Sequence, residues 1–216
     1  MPPEPLILAF DTSAAHCAAA LVSGDRLVAE RHDPMDRGQA EHLFPMLESL
    51  LKGAGLGWHD LTALAVGTGP GNFTGVRLSV SAARGLALGL AIPLHGVSRL
   101  EAAAYGLPRP CLVVLDARLG RNYLQLFDGQ ALPPQIASAD AIPDGLLSTA
   151  TCLTGDGAEQ IAEDSGLPHL PAALSLPQAM ARIAARRPPP KTRPAPLYLL
   201  PADAAPPRDA PPLILP

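Results

Sequence analysis

Short apolar runs alternate with amphipathic stretches along the first hundred residues. Each of four runs is typical of a strand: 6–10, 17–22, 61–66 and 92–97. Two stretches, 41–52 and 76–90, carry apolar side chains at helical spacing. Strands that alternate with helices in this way predict an α/β layered fold.

Helix-start signals refine this pattern at three places. Pro45 lies in the early part of the first helix, where it either marks the start or kinks the rod. Ser98 with Glu101 three residues later predicts a capped helix through Tyr105. A similar signal at Ser175 opens a helix that the three prolines from Pro188 end.

The second half repeats an arrangement seen in the first. A strand at 111–115, then Asp116, a turn and a strand at 123–127 resemble the strand, Asp11, turn and strand at the N-terminus, 105 residues earlier. Two short segments leave internal duplication and coincidence equally open.

Composition bounds the class of protein. The chain has 216 residues, of which 48% are hydrophobic and 17% charged, so it should fold as one large domain or two small ones. Its net charge of −4 excludes a strongly basic nucleic-acid coat. Three widely spaced cysteines predict neither a disulfide framework nor a thiol zinc site, and no apolar run is long enough to span a membrane. We expect a cytoplasmic protein.

The glycine-rich loop at 67–75 is the most informative local feature. It follows a predicted strand and opens a predicted helix, where backbone N–H groups can cradle a phosphate. It lacks the Gly-Lys-Ser/Thr of a Walker loop and does not fit G-x-G-x-x-G, so a tight packing turn is the alternative. Asp11 and Asp116 end strands, where a carboxylate either orients hydrated Mg²⁺ or only favours the turn.

Catalytic signals are weak. None of the six histidines is three or four residues from another, which argues against a metal site on one helix face. The chain has no G-x-S-x-G and no cysteine in a recognisable nucleophile context. We therefore find no catalytic constellation.

Two surfaces remain candidates for binding. The helix at 76–90 is apolar almost all round, with only Arg77 and Arg84 charged, so either its own sheet or another subunit must cover it. Between Ser165 and Ala202 there are five basic residues and no Asp or Glu, which fits either a solvated helix end or contact with RNA backbone. Residues 188–216 include 11 prolines and are predicted to be mostly extended or disordered.

Several motifs together resemble the TsaB (YeaZ) family. The string Gly69-Pro70-Gly71-Asn72-Phe73-Thr74-Gly75-Val76-Arg77 is highly specific. The weaker matches are Ile7-Leu8-Ala9-Phe10-Asp11-Thr12-Ser13, Glu41-His42-Leu43-Phe44-Pro45, Gly85-Leu86-Ala87, Gly96-Val97-Ser98, Asp116-Ala117-Arg118 with Tyr123, and Pro196-Leu197-Tyr198-Leu199.

The resemblance implies an actin-like ATPase (ASKHA/RNase H-like) α/β fold with two half-domains of mixed sheets flanked by helices. We accordingly expect an N-terminal half at 1–100 that carries the partner interface, a reduced C-terminal half at 101–195, and a Pro-rich tail at 196–216 that docks on the body. This chain departs from the family pattern after Leu199. Family members usually continue with a polar or basic residue, whereas this chain has Leu200-Pro201.

The resemblance also implies a non-catalytic scaffold in synthesis of N6-threonylcarbamoyladenosine at position 37 of tRNA. Its partners would be the catalytic paralogue TsaD, the ATPase TsaE and, through the complex, tRNA, with a homodimer when the partner is absent. No cofactor belongs to the chain itself, and ATP with Mg²⁺ is used by the assembled complex. The rival hypotheses are an actin-like small-molecule kinase or ATPase, and a protease.

Site residues follow from the family's use of its first two helices. The predicted partner interface is Leu43, Met46, Leu47, Leu50, Val76, Arg77, Val80, Ala83, Arg84 and Ala87. The candidates for a vestigial phosphate loop are Asp11, Thr12, Gly69, Gly71, Thr74, Gly75 and Asp116. No catalytic residue and no metal ligand is predicted.

Overall fold

The computed structural model describes residues 4–199, and its first half is built on a five-stranded mixed sheet. The strands are β1 (Leu6–Asp11), β2 (His16–Ser23), β3 (Arg26–Pro34), β4 (Ala63–Gly67) and β5 (Leu94–Val97), in the order β3-β2-β1-β4-β5. β1 pairs with β2 and β2 with β3 in antiparallel fashion, whereas β1 pairs with β4 and β4 with β5 in parallel, so the chain turns back twice and then crosses over through helices. All four runs predicted as strands are strands.

Two long helices cover one face of this sheet. They are α1 (Gln39–Gly53) and α2 (Phe73–Leu90), and their buried side chains pack on Leu8, Phe10 and Leu64 in one core cluster. Pro45 lies inside α1 rather than at its start. A 3-10 turn at Trp58–Asp60 leads from α1 to β4.

The second half contains a smaller sheet that repeats the same unit. Its strands are β6 (Cys111–Asp116), β7 (Arg121–Asp128), β8 (Gln130–Ala131), β9 (Gln135–Ser138) and β10 (Cys152–Thr154). β6 pairs with β7 antiparallel and with β10 parallel, as β1 pairs with β2 and β4. The structure thus shows the repeated strand-Asp-turn-strand unit that the sequence left open.

Four shorter helices complete the fold: α3 (Arg99–Ala103), α4 (Asp144–Thr149), α5 (Glu159–Ser165) and α6 (Leu176–Ala185). Ser98 caps α3 by accepting from the backbone N–H of Glu101, and Ser175 caps α6 by accepting from that of Gln178. α3 ends two residues before the predicted Tyr105. Its Glu101 carboxylate binds Arg187 rather than completing a capping box.

The helix α6 returns to the first half of the molecule. Its residues Ala179, Met180 and Ile183 are buried against Ile7 and Ala9 on the face of the sheet opposite α1 and α2. The expected C-terminal half at 101–195 is therefore wrong for α6. This helix packs on the first sheet, on the face that α1 and α2 leave uncovered. The residues after α6 then run back along α2 and on to the second half.

This final segment, residues 190–199, is called the strap below. The backbone N–H of Leu197 donates to the carbonyl of Thr68 at 2.8 Å, and Leu199 packs on the core of the second half. Docking of the predicted tail is thus seen for 196–199, and its remainder, 200–216, lies outside the described residues. Within residues 4–199, no helix is both long and apolar enough to cross a membrane.

Candidate functional site

The glycine-rich loop joins β4 to α2, and Asn72 closes its helical end. The Oδ1 atom of Asn72 accepts from the backbone N–H groups of Thr74 at 3.0 Å and Gly75 at 3.1 Å, and the N–H of Asn72 itself donates to the carbonyl of Ser13. These are the donors that a bound phosphate would use at a helix N-terminus. In this structure the protein's own side chain satisfies them.

Two glycines of the loop let α2 approach the β1–β2 turn. A Cβ on Gly71 would lie 2.3 Å from the carbonyl oxygen of Ser13, and one on Gly75 would lie 1.9 Å from that of Thr12. The Thr12 hydroxyl in turn donates to the Gly75 carbonyl at 2.6 Å. Gly69 has φ +89°, a conformation that favours glycine. The loop geometry therefore supports the packing-turn alternative of the sequence analysis.

Asp11 is fully buried, and one of its two carboxylate oxygens, Oδ1, takes all of its hydrogen bonds, whereas Oδ2 has no hydrogen-bond partner among the described residues. Its Oδ1 accepts from the Ser13 N–H and hydroxyl and from Nε2 of His16 at 2.9 Å. Burial opposes ionisation, but the hydrogen bond and charge of His16, the charge of Arg99 and the Ser13 hydroxyl outweigh it, so the pKa of the Asp11 carboxyl is below its usual value. Its Oδ2 faces Gly67, where a Cβ would be 1.8 Å away. Asp11 thus orients the turn from inside the protein.

A polar cleft of about 410 Å³ lies where the two halves meet. Asp116 lines it with Ser13, Asn72, Arg99, Arg118 and Asp156, and Asp11 is not part of its wall. The Asp116 carboxylate accepts from the backbone N–H of Arg118 at 2.9 Å. Arg99 reaches the carbonyl of Pro70 at 3.2 Å and Asp156 at 3.5 Å, which links the glycine loop to the second half.

The thiols of Cys17 and Cys111 and the hydroxyl of Ser13 are not arranged as activated nucleophiles. Burial, with the charges of Asp33 and Asp11, raises the pKa of Cys17 to about 11, and burial with the Cys152 hydrogen bond raises that of Cys111 to about 12. The Ser13 hydroxyl donates to Asp11 and not to a histidine, unlike the serine of a hydrolase triad. No group of three potential metal ligands occurs in the described part of the chain.

The predicted partner-interface residues divide into two groups, and most of them face inward. Seven side chains are at most 7% exposed and belong to the core of the first half: Leu43, Met46, Leu47, Leu50, Val76, Val80 and Ala83. That choice of face was wrong, because the apolar stripe of each helix packs on the sheet. Arg77, Arg84 and Ala87 reach the surface, and both arginines contact the strap.

An apolar groove of about 610 Å³ lies on the outer side of the two helices. α1 contributes Phe44 and Glu48, the following turn contributes Trp58 and His59, and α2 contributes Ser81, Ala82, Gly85, Leu86, Gly89 and Leu90. The α2 residues at 81, 82, 85 and 89 that line it are small, and Phe44 is 39% exposed. The sequence contained the relevant signal, since glycines within a helix carry a stability cost that calls for a reason.

The two sheets and their flanking helices have the architecture of the actin-like ATPase fold. Component A of (R)-2-hydroxyglutaryl-CoA dehydratase from Acidaminococcus fermentans aligns over 85% of this chain and 100% of its own, with a TM-score of 0.57 at 10% identity. A family model described as "TsaD: tRNA N6-adenosine threonylcarbamoyltransferase" matches residues 34–184, which is more than half of the chain. The expected fold class is confirmed.

The particular family follows from closer relatives. "tRNA threonylcarbamoyladenosine biosynthesis protein TsaB" of Buchnera aphidicola is 30% identical over 75% of this chain and 83% of its own length, and that of Escherichia coli is 39% identical over 54% and 52%. A Pseudomonas aeruginosa structure described by its similarity to peptidase YeaZ has a TM-score of 0.68 at 25% identity, covering 91% of this chain and 100% of its own. The chain belongs to the TsaB (YeaZ) family. It spans about half the length of the E. coli relative that it matches.

Proposed function

We propose that this chain is a non-catalytic subunit that binds and activates the TsaD threonylcarbamoyl transferase in the synthesis of N6-threonylcarbamoyladenosine in tRNA. The names of its relatives support the pathway. In the proposed complex the TsaE ATPase joins the pair and uses ATP with Mg²⁺, while this chain holds no cofactor. Because tRNA is the substrate, the complex acts in the cytoplasm.

The observation that carries this proposal is the groove between α1 and α2. Its lining is mainly apolar, several of its α2 residues are small, and Phe44 is exposed beside them. A helix or side chain of a partner can approach the backbone of α2 closely where Gly85 and Gly89 leave open space. Apolar surface of this kind is typical of a protein interface. We propose that TsaD docks here, and that two copies of the chain pair through the same groove when TsaD is absent.

The geometry disfavours an independent kinase or ATPase. Such an enzyme would turn Asp11 toward the cleft to position Mg²⁺, whereas here the carboxylate is buried against His16, Ser13 and Gly67. It would also leave the N–H groups at the start of α2 free for phosphate, and Asn72 binds them. The protease alternative lacks a Ser–His contact at Ser13. The proposed site therefore recognises a protein and does no chemistry of its own.

The test is threonylcarbamoyl transfer to tRNA by TsaD and TsaE, supplied with ATP and threonylcarbamoyl adenylate, with and without this chain. A Gly85→Arg variant places a long side chain at the groove, and a Cβ at this position meets no atom within 4 Å. Gly53→Arg is the matched control, because Gly53 also has open space but does not line the groove.

We expect product only when the wild-type chain or Gly53→Arg is present, and loss of both TsaD binding and product with Gly85→Arg. Transfer that is equally fast without the chain, together with ATP hydrolysis by the chain alone, would contradict the scaffold proposal. Full activity of Gly85→Arg would place the interface elsewhere on the molecule.

A further inference from the structure

The basic residues of α2 and of the C-terminal segment fall into two groups with different surroundings. Arg182 near the end of α6 and Arg186 just after it lie 3.6 and 3.7 Å from the carboxylate of Asp25, and the following Arg187 is paired with Glu101. These ion pairs attach the helix to the body and offset most of its charge. The positive charge of α6 is therefore used within the subunit.

The strap and α2 hold the other group, for which the structure shows no ion pair. Arg77, Arg84, Lys191 and Arg193, here named the basic seam, are all exposed. Arg84, Lys191 and Arg193 line a groove of about 370 Å³ between α2 and the strap, and neither Asp nor Glu is among its described lining residues. The salt bridges found in residues 4–199 include none of the four.

Neutral acceptors fix the two arginines of the seam. Nε of Arg77 donates to the Tyr198 hydroxyl at 2.8 Å, and Nε of Arg84 donates to the Pro194 carbonyl at 2.8 Å. Such contacts restrict the guanidinium groups without neutralising them. Less side-chain entropy is then lost when an anion binds, so the seam is prepared for a ligand with several negative charges.

Exposed aromatic rings continue the seam at the N-terminal end of α2. Phe73 and Tyr198 are 42% and 45% exposed, their ring centroids are 5.3 Å apart, and the Arg77 guanidinium carbon lies 3.7 Å from the centroid of Phe73. Cations beside exposed rings suit nucleic acid, whose phosphates pair with the cations and whose bases stack on the rings.

We infer that the basic seam binds the sugar–phosphate backbone of RNA, with Phe73 and Tyr198 offering stacking surface at its end. This inference rests on the proposed function, under which the RNA is the tRNA that the complex modifies. The seam and the apolar groove both involve α2, the groove through residues such as Ser81 and Gly85 and the seam through Arg77 and Arg84. A partner bound in the apolar groove would therefore leave the neighbouring basic seam uncovered.

The experiment reverses the two strap charges together, as Lys191→Glu/Arg193→Glu. Neither side chain is seen to make an internal ion pair, so the fold should persist. Arg26→Glu/Arg37→Glu is the matched control, with two equally exposed arginines and the same change in net charge, away from the groove. The affinity for unmodified tRNA is measured over a range of salt concentrations, for the complex with TsaD and, at low salt, for the chain alone.

We expect the strap variant to bind tRNA about tenfold more weakly and to lower the slope of log affinity against log salt by about 1 to 2, with the control close to wild type. TsaD binding, measured separately, should be unchanged. Equal tRNA affinity and slope for variant and wild type would overturn the inference. Weakened TsaD binding with unaltered tRNA affinity would do so too, since the seam would then contact protein.

The proposed function and this inference fail separately. If the wild-type chain neither binds TsaD nor supports transfer, the proposed function is lost, and the titration of the chain alone still decides the seam. If the wild-type chain supports transfer and its strap variant retains the full salt dependence, only the RNA contact is lost.

Discussion

Gly75 and Thr12 are 63 residues apart in sequence, and the two bind each other where α2 meets the β1–β2 turn. The Thr12 hydroxyl donates to the Gly75 carbonyl, while the α-carbon of Gly75 lies so close to the Thr12 carbonyl that a Cβ would be 1.9 Å from its oxygen. The helix that carries both candidate binding surfaces is thus positioned by this contact.

Gly75→Ala should destabilise the chain by about 2 kcal/mol or more, because the added methyl group forces α2 away from the turn. Gly85→Ala, measured on the chain alone, should stabilise it by about 0.5 to 1 kcal/mol, because Gly85 is helical with open space around it. Urea unfolding measures whether the free energy of unfolding falls for Gly75→Ala and rises for Gly85→Ala. A Gly75→Ala protein as stable as wild type would show that the contact is dispensable.

The same contact shows what the sequence could and could not predict. Periodicity located α1, α2 and six of the ten strands, because burial on a sheet imposes a local pattern. The role of the glycine loop depends on Thr12 and Ser13, which are distant in sequence, so both a phosphate site and a packing turn remained open. The return of α6 to the first sheet was likewise not visible, since an apolar helix face does not say which sheet it covers.

Acid should weaken the fold through Asp11. The pKa of this carboxyl is lowered in the folded state, so the folded chain binds fewer protons than the unfolded chain just below pH 4, where an unfolded aspartate titrates. The stabilisation is therefore present above about pH 4 and is lost as the pH falls toward the folded pKa. Asp11→Asn should lower stability at pH 7 and flatten the loss on acidification.

Urea unfolding at pH values from 7 down to 3 measures this effect. Asp36→Asn serves as the control, because Asp36 is exposed and its substitution removes the same charge. A wild-type chain and an Asp11→Asn variant with parallel acid profiles would show that His16, Ser13 and Arg99 do not favour the ionised carboxylate as inferred.

The strap should detach when Gly96 gains a side chain. A Cβ there would lie 2.7 Å from Cβ of Pro194 and 2.9 Å from Cγ2 of Thr68, so Gly96→Ala pushes the strap away from β5. Limited trypsin digestion should then cut faster between Lys191 and Thr192, as seen by mass spectrometry of the fragments. Gly145→Ala, in α4 with open space around it, should leave the rate unchanged. Equal rates in both variants would mean that the strap accommodates the methyl group.

Val80 and Ser81 are neighbours on α2, but they lie on different faces of the helix. The family resemblance implied Val80 as a partner contact, but its side chain is 2% exposed and lies in the core, whereas Ser81 is exposed and lines the groove. The pattern could not distinguish these faces because α2 is apolar on nearly every side, and only the positions of the sheet and α1 decide which side is buried.

Val80→Arg should therefore destabilise the chain by more than about 4 kcal/mol, because it places an unpaired charge in the core. Ser81→Arg should keep the wild-type unfolding midpoint and lose TsaD binding, since the new side chain occupies the groove. Thermal unfolding and a TsaD binding titration on the two variants make the comparison. If Ser81→Arg binds TsaD as wild type does, the partner contacts another face of the molecule, and the buried stripe of α2 has a structural role alone.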